Sequence, residues 1–420
     1  EAENIKAVEV AKVTDSGRMQ MFWNGQKIVD LSRAFLDTSG CAKKQDAKIS
    51  HLQEVNSNSI EFNEDNFYKI LAEKNTASQK GLVEMFDSTV GATTVALPFG
   101  GKYQTTETEG CVQTLPILNA ENIETVSYAS WGFDAEISKQ NSMIGASLAV
   151  VESVAKIVAM GGNFRNIRLS FQEYFEKLGS NPEKWGKPLA SLLGAYDAQM
   201  NLGLAAIGGK DSMSGTYQDI NVPPTLISFA CADGKKLNTI SPEFKKVGNF
   251  IYHFHHKTQE NGLPNYENLI EVFDYIHQGI QDKKIVSVKT IKDGGVAVAV
   301  AKMSFGNLLG AEISIDEKFL LEKNIGGLVI ESSEKLDSNL LQLIGEVKKS
   351  KIIKINNLDF EIHKLLEVNS GTFENLFPTK EKERIQINFD ENLNGTEKKS
   401  INIISHKIGA PRVFAPIFPG

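Results

Sequence analysis

Hydrophobic residues recur along the chain at two spacings, in short alternating runs typical of strands and in longer patterns typical of helices. Between about residues 77 and 235 this pattern predicts strands at 81–86, 92–98, 204–207 and 224–232, and helices at 142–161 and 188–201. The first of these helices is apolar on nearly every side, which predicts a buried position, and Gly161 and Gly162 mark its end.

A second segment, from about residue 245 to 370, alternates strands and helices more regularly. The pattern predicts strands at 249–255, 284–291, 311–315 and 326–332, with helices at 264–281, from 296 onwards, and briefly before the last strand. Phe67, Ile70 and Leu71 stand at helical spacing in the stretch that precedes both segments. Elements ordered in this way favour an α/β fold with α+β layers in both segments.

Two polar stretches divide the chain further. We expect the tail of a preceding module at 1–36, a linker with a short helix at 37–76, an N-terminal subdomain at 77–240, a C-terminal subdomain at 241–376, and a charged linker followed by one strand at 377–420. Because the chain begins with Glu and ends in a single strand-like run, we expect it to be a fragment of a longer polypeptide.

An internal repeat supports that expectation. Residues 10–31 and 344–365 both alternate like a half-buried hairpin, and aligning Val13 with Val347 gives an offset of 347 − 13 = 334. One interpretation is that the chain holds the end of one module and the whole of a second. The other is that any two amphipathic hairpins look alike.

Charge and composition exclude several classes of protein. The chain has 45 Lys and Arg against 52 Asp and Glu, a net charge of −7, with no basic cluster of the kind that nucleic-acid binding requires. We expect no membrane partner and a cytoplasmic location, because we find no run of 18 apolar residues and no signal peptide. Cys41, Cys111 and Cys231 lie far apart, which argues against a disulfide framework or a structural zinc site.

The most distinctive motif is GGKDSMSG at 208–215, directly after a predicted strand. Glycines let backbone N–H groups approach an anion, a lysine adds a point charge, and hydroxyls add donors. The candidate phosphate-binding residues are Gly208, Gly209, Lys210, Asp211, Ser212 and Ser214. The alternative is a tight glycine turn with an exposed lysine and aspartate.

Three further features carry charge in unusual places. Glu152 and Lys156 stand four residues apart inside the apolar helix, where a charge needs a partner or a metal. The alternatives are a simple buried ion pair or a polar stripe that reaches solvent. Asp293 precedes Gly294, Gly295 and a helix, so it could cap that helix or help to expose its N–H groups to an anion.

Two carboxylates and three histidines complete the candidates. Asp87 and Glu109 flank the glycine-containing stretch 86–110 and could bind a metal or accept hydrogen bonds, although ordinary turn chemistry accounts for them equally. His253, His255 and His256 suggest a metal site, but no cysteine or carboxylate stands at ligand spacing. We therefore expect the exposed end of a strand there.

Together these motifs resemble one enzyme family, the large form of phosphoribosylformylglycinamidine synthase. The resemblance covers essentially the whole chain, and the residues that carry it are FDSTVGATT (86–94), PFGGKYQ (98–104), VVESVAKIVAMGG (150–162), FQEYF (171–175), GGKDSMSG (208–215), PPTLISFA (223–230) and DGG (293–295). The family has two tandem modules of the aminoimidazole ribonucleotide synthetase type and a glutaminase domain. The chain would then be the second synthase half, with an N-terminal and a C-terminal subdomain.

The resemblance implies an ATP- and glutamine-dependent ligase of purine biosynthesis, with formylglycinamide ribonucleotide and ATP as substrates. It implies ATP or ADP and Mg2+ as cofactors, and the first synthase half and the glutaminase domain as partners. The motif at 208–215 would line the synthase cleft and Asp87 would join the phosphate-binding set.

The resemblance also implies an auxiliary nucleotide site whose metal ligands are Glu109, Glu152 and Asp293. Lys156 stands where the family usually has Asn, so an ammonium could substitute there for the metal, and Lys156→Asn is expected to raise magnesium affinity. We expect the chain to be inactive alone. Two alternatives stay open: a non-catalytic half that holds a nucleotide, and an independent ATP-dependent enzyme such as a small-molecule kinase.

Overall fold

The computed structural model of the chain describes residues 6–37, 44–50, 55, 60–117 and 122–380. Residues 1–379 form one compact unit, and residues 380–420 form a second of which the structure describes Lys380. Three predicted features lie wholly or partly outside the described residues: Cys41, the linker within 37–76 (of which 38–43, 51–54 and 56–59 are not described), and the strand predicted within 377–420.

The chain begins with a hairpin and continues to Lys235 through the following elements, and we call this part of the chain the first subdomain. They are β1 (Arg18–Trp23), β2 (Gln26–Ser32), α1 (Arg33–Asp37), α2 (Glu64–Leu71), α3 (Lys80–Val83), β3 (Thr94–Ala96), β4 (Phe99–Gly100), β5 (Thr106–Glu107), β6 (Cys111–Thr114), β7 (Thr125–Gly132), α4 (Ala135–Gln140), α5 (Ser142–Ala159), β8 (Arg168–Tyr174), α6 (Pro182–Leu202), β9 (Ala205–Lys210), β10 (Thr216–Tyr217), β11 (Ile220–Asn221) and β12 (Thr225–Lys235).

The part of the chain from Phe250 to Glu374, which we call the second subdomain, alternates strands and helices as predicted. Its elements are β13 (Phe250–Phe254), α7 (Tyr266–Gln281), β14 (Ile285–Thr290), α8 (Gly295–Phe305), β15 (Gly310–Ile313), β16 (Leu328–Ser332), β17 (Gln342–Lys348), β18 (Ile352–Ile355), β19 (Leu358–Glu361) and α9 (Ile362–Glu374). The short helix predicted before β16 is a single 3-10 turn at Glu317–Phe319.

Two mixed sheets organise the fold. The first has six strands in the order β3-β6-β7-β12-β8-β9, and its one parallel pair is β8 with β9. The second has seven strands in the order β14-β16-β13-β17-β15-β18-β19, and its one parallel pair is β15 with β18. The architecture is therefore α/β with α+β layers, as predicted.

Helix α5 lies at the centre of the larger core. It packs against α6, against β7 and β12 of the first sheet, and against β14 of the second. Its length and mean hydropathy of 1.6 match those of a membrane-spanning helix, but 94% of it is buried inside the fold. The core helix of a folded domain has the same length and hydropathy, and the burial of α5 indicates that it is such a core helix. A second core, behind the other face of the seven-stranded sheet, contains α2, α8 and α9.

Two predictions about local structure are wrong. Residues 81–86 do not form a strand, because helix α3 begins this stretch and packs so closely against the segment after α9 that a Cβ at Gly81 would lie 1.8 Å from the carbonyl oxygen of Phe377. The chain also does not turn at Gly208 and Gly209. Strand β9 runs through them to Lys210, and Gly209 allows a close approach to Phe171 of β8, whose carbonyl oxygen a Cβ would meet at 2.2 Å.

The two stretches of the internal repeat fold alike, each as a hairpin followed by a helix. Their turns begin at Asn24 and Asn356, so the structural offset is 356 − 24 = 332, and the offset of 334 from the sequence is wrong by two residues. An even shift keeps every strand position on the same face of its hairpin.

Candidate functional site

A cavity of about 360 Å³ lies between the two subdomains. It is lined from both sides by charged side chains, and Trp131 stands half-exposed at its edge. The lining includes Glu107, Glu109, Lys156, Lys289, Lys292, Asp293 and Lys302. The three carboxylates that the resemblance implied as metal ligands therefore lie in or beside one cavity, and lysines accompany each of them.

Glu109 is fixed by groups from strand β14. Its Oε1 lies 2.8 Å from Lys289 Nζ, and its Oε2 accepts a hydrogen bond of 2.5 Å from Thr290 Oγ1. Burial raises the pKa of the Glu109 carboxyl, but the charge and hydrogen bonds of Lys289 and Thr290 outweigh that effect, so the pKa falls below its ordinary value. Glu109 is therefore a buried, ionised carboxylate with both oxygens engaged.

Glu152 meets two lysines at once. Nζ of Lys156 and Nζ of Lys292 each lie 2.8 Å from Glu152 Oε1, as ion pairs whose angles fall outside those of good hydrogen bonds. The contact that the i, i+4 spacing of Glu152 and Lys156 suggested is present. Glu152 Oε2 accepts a bond of 3.1 Å from the Phe133 N–H.

Lys156 is held away from water. It is 6% exposed, donates to the Trp131 carbonyl oxygen at 2.7 Å and lies 4.5 Å from the centre of the Trp131 ring. Burial lowers the pKa of Lys156, and the Glu152 charge opposes that shift. For Glu152, burial raises the pKa of the carboxyl, but the charges of Lys156 and Lys292 outweigh it and hold the pKa below its ordinary value.

Asp293 does not cap helix α8. The capping position is Gly294, whose φ of 81° lies in the left-handed region, and Asp293 pairs instead with Lys323 Nζ at 2.8 Å. The same ammonium contacts Asp134. Burial lowers the pKa of Lys323, but the charges of Asp293 and Asp134 outweigh it, so the pKa is raised.

A fifth lysine completes the set. Lys302, on the apolar helix α8, is 8% exposed, and its Nζ lies 2.6 Å from Glu107 Oε2. We call the ten residues together the lysine–carboxylate cluster: Glu107, Glu109, Asp134, Glu152, Lys156, Lys289, Lys292, Asp293, Lys302 and Lys323. The five lysines and five carboxylates give a formal charge of 5 − 5 = 0.

These residues do not fit a magnesium ion. Mg2+ requires oxygen ligands near 2.0–2.1 Å in octahedral geometry. Among the described residues, no group of three or more His, Cys, Asp or Glu side chains converges as metal ligands would. Each implied ligand, Glu109, Glu152 and Asp293, faces an ammonium nitrogen at 2.8 Å instead.

The motif at 208–215 lies at an edge of the six-stranded sheet. Gly208 adopts a φ of 152°, which disfavours any side chain, and Lys210 is exposed. No hydrogen bond or ion pair from the described residues engages the Lys210 ammonium. Ser212 and Ser214 follow on the surface, with their hydroxyl oxygens 2.8 Å apart. A free cation beside two hydroxyls is suited to an anionic ligand.

Glu173 of β8 lies beside this motif. Its backbone oxygen accepts a bond of 3.2 Å from the Ser212 N–H, and its Oε1 is buried with no partner among the described residues. Burial and the neighbouring Asp211 charge raise the pKa of Glu173 to about 7. The motif FQEYF at 171–175 contains Glu173, but nothing in the sequence marked this carboxyl as functional, because its environment comes from the neighbouring residues Asp211 and Ser212.

Asp87 is not brought to the same place as Lys210. Its carboxylate accepts bonds of 2.9 Å from both the backbone N–H and the hydroxyl of Thr89, which hold its pKa below the ordinary value. Asp87 precedes β3, whereas Lys210 ends β9 at the opposite edge of the sheet. Five strand spacings of about 4.8 Å separate those edges, so one phosphate cannot contact both side chains.

The histidines are not the exposed strand end that was expected. His253 and His256 are each 2% exposed, and His256 Nδ1 lies 2.8 Å from the Ile325 carbonyl oxygen. His253 Nε2 has no partner among the described residues. Burial lowers the pKa of both imidazoles to about 4, which keeps them neutral near pH 7.

Sequence reasoning missed four lysines of the cluster. Lys302 interrupts an apolar helix just as Lys156 does, and that signal could have found it. Lys289 lies at a buried position of strand β14, where the sequence does not distinguish it from an ordinary strand lysine. Lys292 and Lys323 lie in loops, where a lysine is ordinary, so their roles emerge only from the contacts.

The arrangement of two mixed sheets around a buried helix defines an α/β fold that is shared with PurL proteins of known structure. PurL of T. maritima complexed with ADP matches with a TM-score of 0.55 at 14% identity, over 73% of this chain and 52% of that chain. The complex with ATP matches with a TM-score of 0.53 at 15% identity, over 79% and 49%. The complex with FGAR matches at 0.52 and 12%, over 71% and 52%. At such identities the likeness shows the fold alone.

Curated relatives carry the name phosphoribosylformylglycinamidine synthase subunit PurL. The relative from Campylobacter jejuni is 20% identical over 413 residues, covering 91% of this chain and 54% of the relative. The relative from Zymomonas mobilis is 26% identical over 353 residues, covering 74% and 44%. The chain thus spans about half the length of the curated relatives that it matches. No family model matches it.

Proposed function

We propose that this chain is the second synthase half of a large phosphoribosylformylglycinamidine synthase, which converts formylglycinamide ribonucleotide to its amidine. The observation that supports this most strongly is a similarity that runs through nine-tenths of the chain and through only about half of PurL. The fold is also that of PurL structures solved with ATP, ADP and FGAR.

The chemistry of the proposed reaction sets what the residues must do. ATP transfers its terminal phosphoryl group to the formamide oxygen, ammonia attacks the activated carbon, and phosphate leaves with that oxygen to give the amidine, ADP and phosphate. Ammonia comes from glutamine through a glutaminase domain in this proposal. Negative charge on phosphate oxygens needs preorganised donors.

We assign phosphate contacts to the motif at 208–215. Lys210 contributes a positive charge that no described residue engages, and Ser212 and Ser214 contribute hydroxyl donors. Gly208 and Gly209 have no side chains, so the backbone of β9 is accessible there. Asp211 belongs to the same motif, and its charge raises the pKa of the neighbouring Glu173. Asp87 stays a candidate only for a separate contact, because it lies at the other edge of the sheet.

The partners of the chain in this proposal are the first synthase half and the glutaminase domain of the same polypeptide. The exposed apolar side chains of the first hairpin support a neighbour: Trp23 is 69% exposed, whereas Ile355 of the second hairpin is fully buried. The proposal includes a cytoplasmic location and neither a nucleic-acid nor a membrane partner.

Reconstitution tests the proposal. The chain alone, given formylglycinamide ribonucleotide, ATP and ammonium chloride, is expected to form no amidine, and adding the rest of the polypeptide is expected to restore turnover on the order of one per second. Turnover by the chain alone at that rate would indicate an independent enzyme. A reconstituted mixture that hydrolyses ATP without forming amidine would contradict the substrate.

One observation favours a second candidate, a half that supports catalysis elsewhere without contributing to it. The lysine–carboxylate cluster is electrically neutral and offers no metal-ligand geometry among the described residues. In that case Lys210→Ala would leave the kinetics of the reconstituted enzyme unchanged. A loss of activity with Lys210→Ala would favour the catalytic half.

A further inference from the structure

The positive and negative charges of the lysine–carboxylate cluster are divided unequally between the two subdomains. Four of its five carboxylates precede residue 153 and four of its five lysines follow residue 285. The first subdomain therefore presents negative charge to this junction and the second presents positive charge. Opposite charges in a partly buried junction attract strongly because little water screens them.

We propose that this cluster is a permanent clamp between the subdomains that takes the place of a divalent metal ion. The expectation of a metal at this position rests on the proposed function, whereas the clamp follows from the contacts alone. Each lysine provides locally the positive charge that neighbouring carboxylates need if they are to stay ionised when buried.

A metal ion would have to displace what is already bound. At Glu152, two ammonium nitrogens lie 2.8 Å from Oε1 and a backbone N–H occupies Oε2. At Glu109, both oxygens are engaged by Lys289 and Thr290. Entry of Mg2+ would add two positive charges to a neutral site and strand buried ammonium groups, which is strongly unfavourable.

The structure also changes what a single substitution can achieve. The resemblance implied that Lys156→Asn raises magnesium affinity, but in that variant Lys292 would still hold Glu152 Oε1 at 2.8 Å. Freeing Glu152 therefore requires the removal of both lysines. The double variant Lys156→Asn/Lys292→Asn removes both ion-pair partners of Glu152, leaves its Oε2 with the Phe133 N–H, and gives a metal ion room to approach Oε1.

Mn2+ is the probe for the test, because its binding is read by electron paramagnetic resonance and does not depend on enzyme activity. The unmodified chain is expected to bind no Mn2+ at micromolar concentrations, and its urea midpoint is expected to be the same in 10 mM MgCl2 and in EDTA. The double variant is expected to unfold at lower urea in EDTA and to recover with Mg2+ or Mn2+. The control, Lys139→Asn, changes an exposed ion pair and is expected to show neither effect.

Two outcomes would overturn the clamp. One is stoichiometric Mn2+ binding by the unmodified chain, and the other is a double variant as stable in EDTA as the Lys139→Asn control. If the double variant does not fold, the Mn2+ titration of the unmodified chain still decides. The variant Lys323→Met, which removes the charge of a side chain that is 23% exposed, is then the second test and is expected to lower the urea midpoint. Loss of amidine formation in reconstitution would leave these binding results unaltered, so failure of the clamp and failure of the proposed function are distinguishable.

Discussion

Asn24 and Asn356 begin the turns of two hairpins that lie 332 residues apart, and both adopt left-handed backbone angles, with φ of 46° and 51°. Asparagine tolerates this conformation better than most residues, so the same turn chemistry recurs at both places. What differs is the surroundings. The second hairpin is part of the seven-stranded sheet, and the first pairs only with itself among the described residues.

The difference predicts unequal effects of matched substitutions. Ile355→Ala should lower the free energy of unfolding by about 2–5 kcal/mol, because a fully buried side chain leaves a cavity. Trp23→Ala, at the equivalent strand position, should change it by less than about 0.5 kcal/mol. Urea unfolding of the two variants checks this, and equal losses would show that the first hairpin is packed.

Lys210→Ala in the reconstituted enzyme should reduce kcat/KM for the phosphorylated substrates. Loss of one charge-assisted contact costs about 1.5–3 kcal/mol, or roughly ten- to a hundred-fold. Steady-state kinetics with each substrate varied in turn measure the effect. Lys139→Ala, which removes an exposed lysine elsewhere, serves as the control. Unchanged kinetics for Lys210→Ala would show that the motif at 208–215 is only the structural end of a strand.

The raised pKa of Glu173 predicts that the stability of the chain depends on pH. Its pKa is raised to about 7 in the folded state from 4.5, so the folded chain binds this proton more readily than the unfolded chain. The contribution of protonated Glu173 to the free energy of unfolding is fully present below about pH 4.5 and is lost as pH rises to about 7. Because solvent screens a carboxyl that is only partly buried, Glu173→Gln should raise the free energy of unfolding at pH 8 by about 1 kcal/mol and change it little at pH 5.

Urea unfolding at pH 5 and pH 8 provides the measurement for Glu173. Asp211→Asn is the companion variant, because removing the neighbouring charge should weaken the same pH dependence. A Glu173→Gln variant that is destabilised equally at both pH values would show that the carboxylate has a partner.

The lowered pKa of His253 predicts that its contribution to stability depends on pH in the opposite direction. Burial and His255 lower its pKa to about 4 from 6.5, so the unfolded chain takes up the proton first as pH falls. The stability from neutral His253 is present above pH 6.5 and is lost as pH falls towards 4. His253→Leu should flatten the decline by about 1.4 kcal/mol per pH unit inside this window. The exposed His363→Leu serves as the control, and an unaltered slope for His253→Leu would contradict the prediction.

Local patterns in the sequence were enough to predict most elements of the second subdomain. Strand β13 and helix α7 begin and end within two residues of their predicted limits, because their apolar residues repeat clearly and turn residues flank them. Strand β7 was missed. Its inward positions include Ser130 and Gly132, which fit beneath α5 but break the hydrophobic alternation that identifies a strand.

The sequence by itself determined the α/β class, the buried helix α5 and the charged pair of Glu152 and Lys156, since each depends on neighbours a few residues away. Only the tertiary structure decided which lysines meet which carboxylates. Lys289 and Glu109 are separated by 180 residues and Lys323 and Asp134 by 189. The Coulomb interaction depends on distance in space, and no local pattern encodes the packing of one subdomain against the other that brings these charges together.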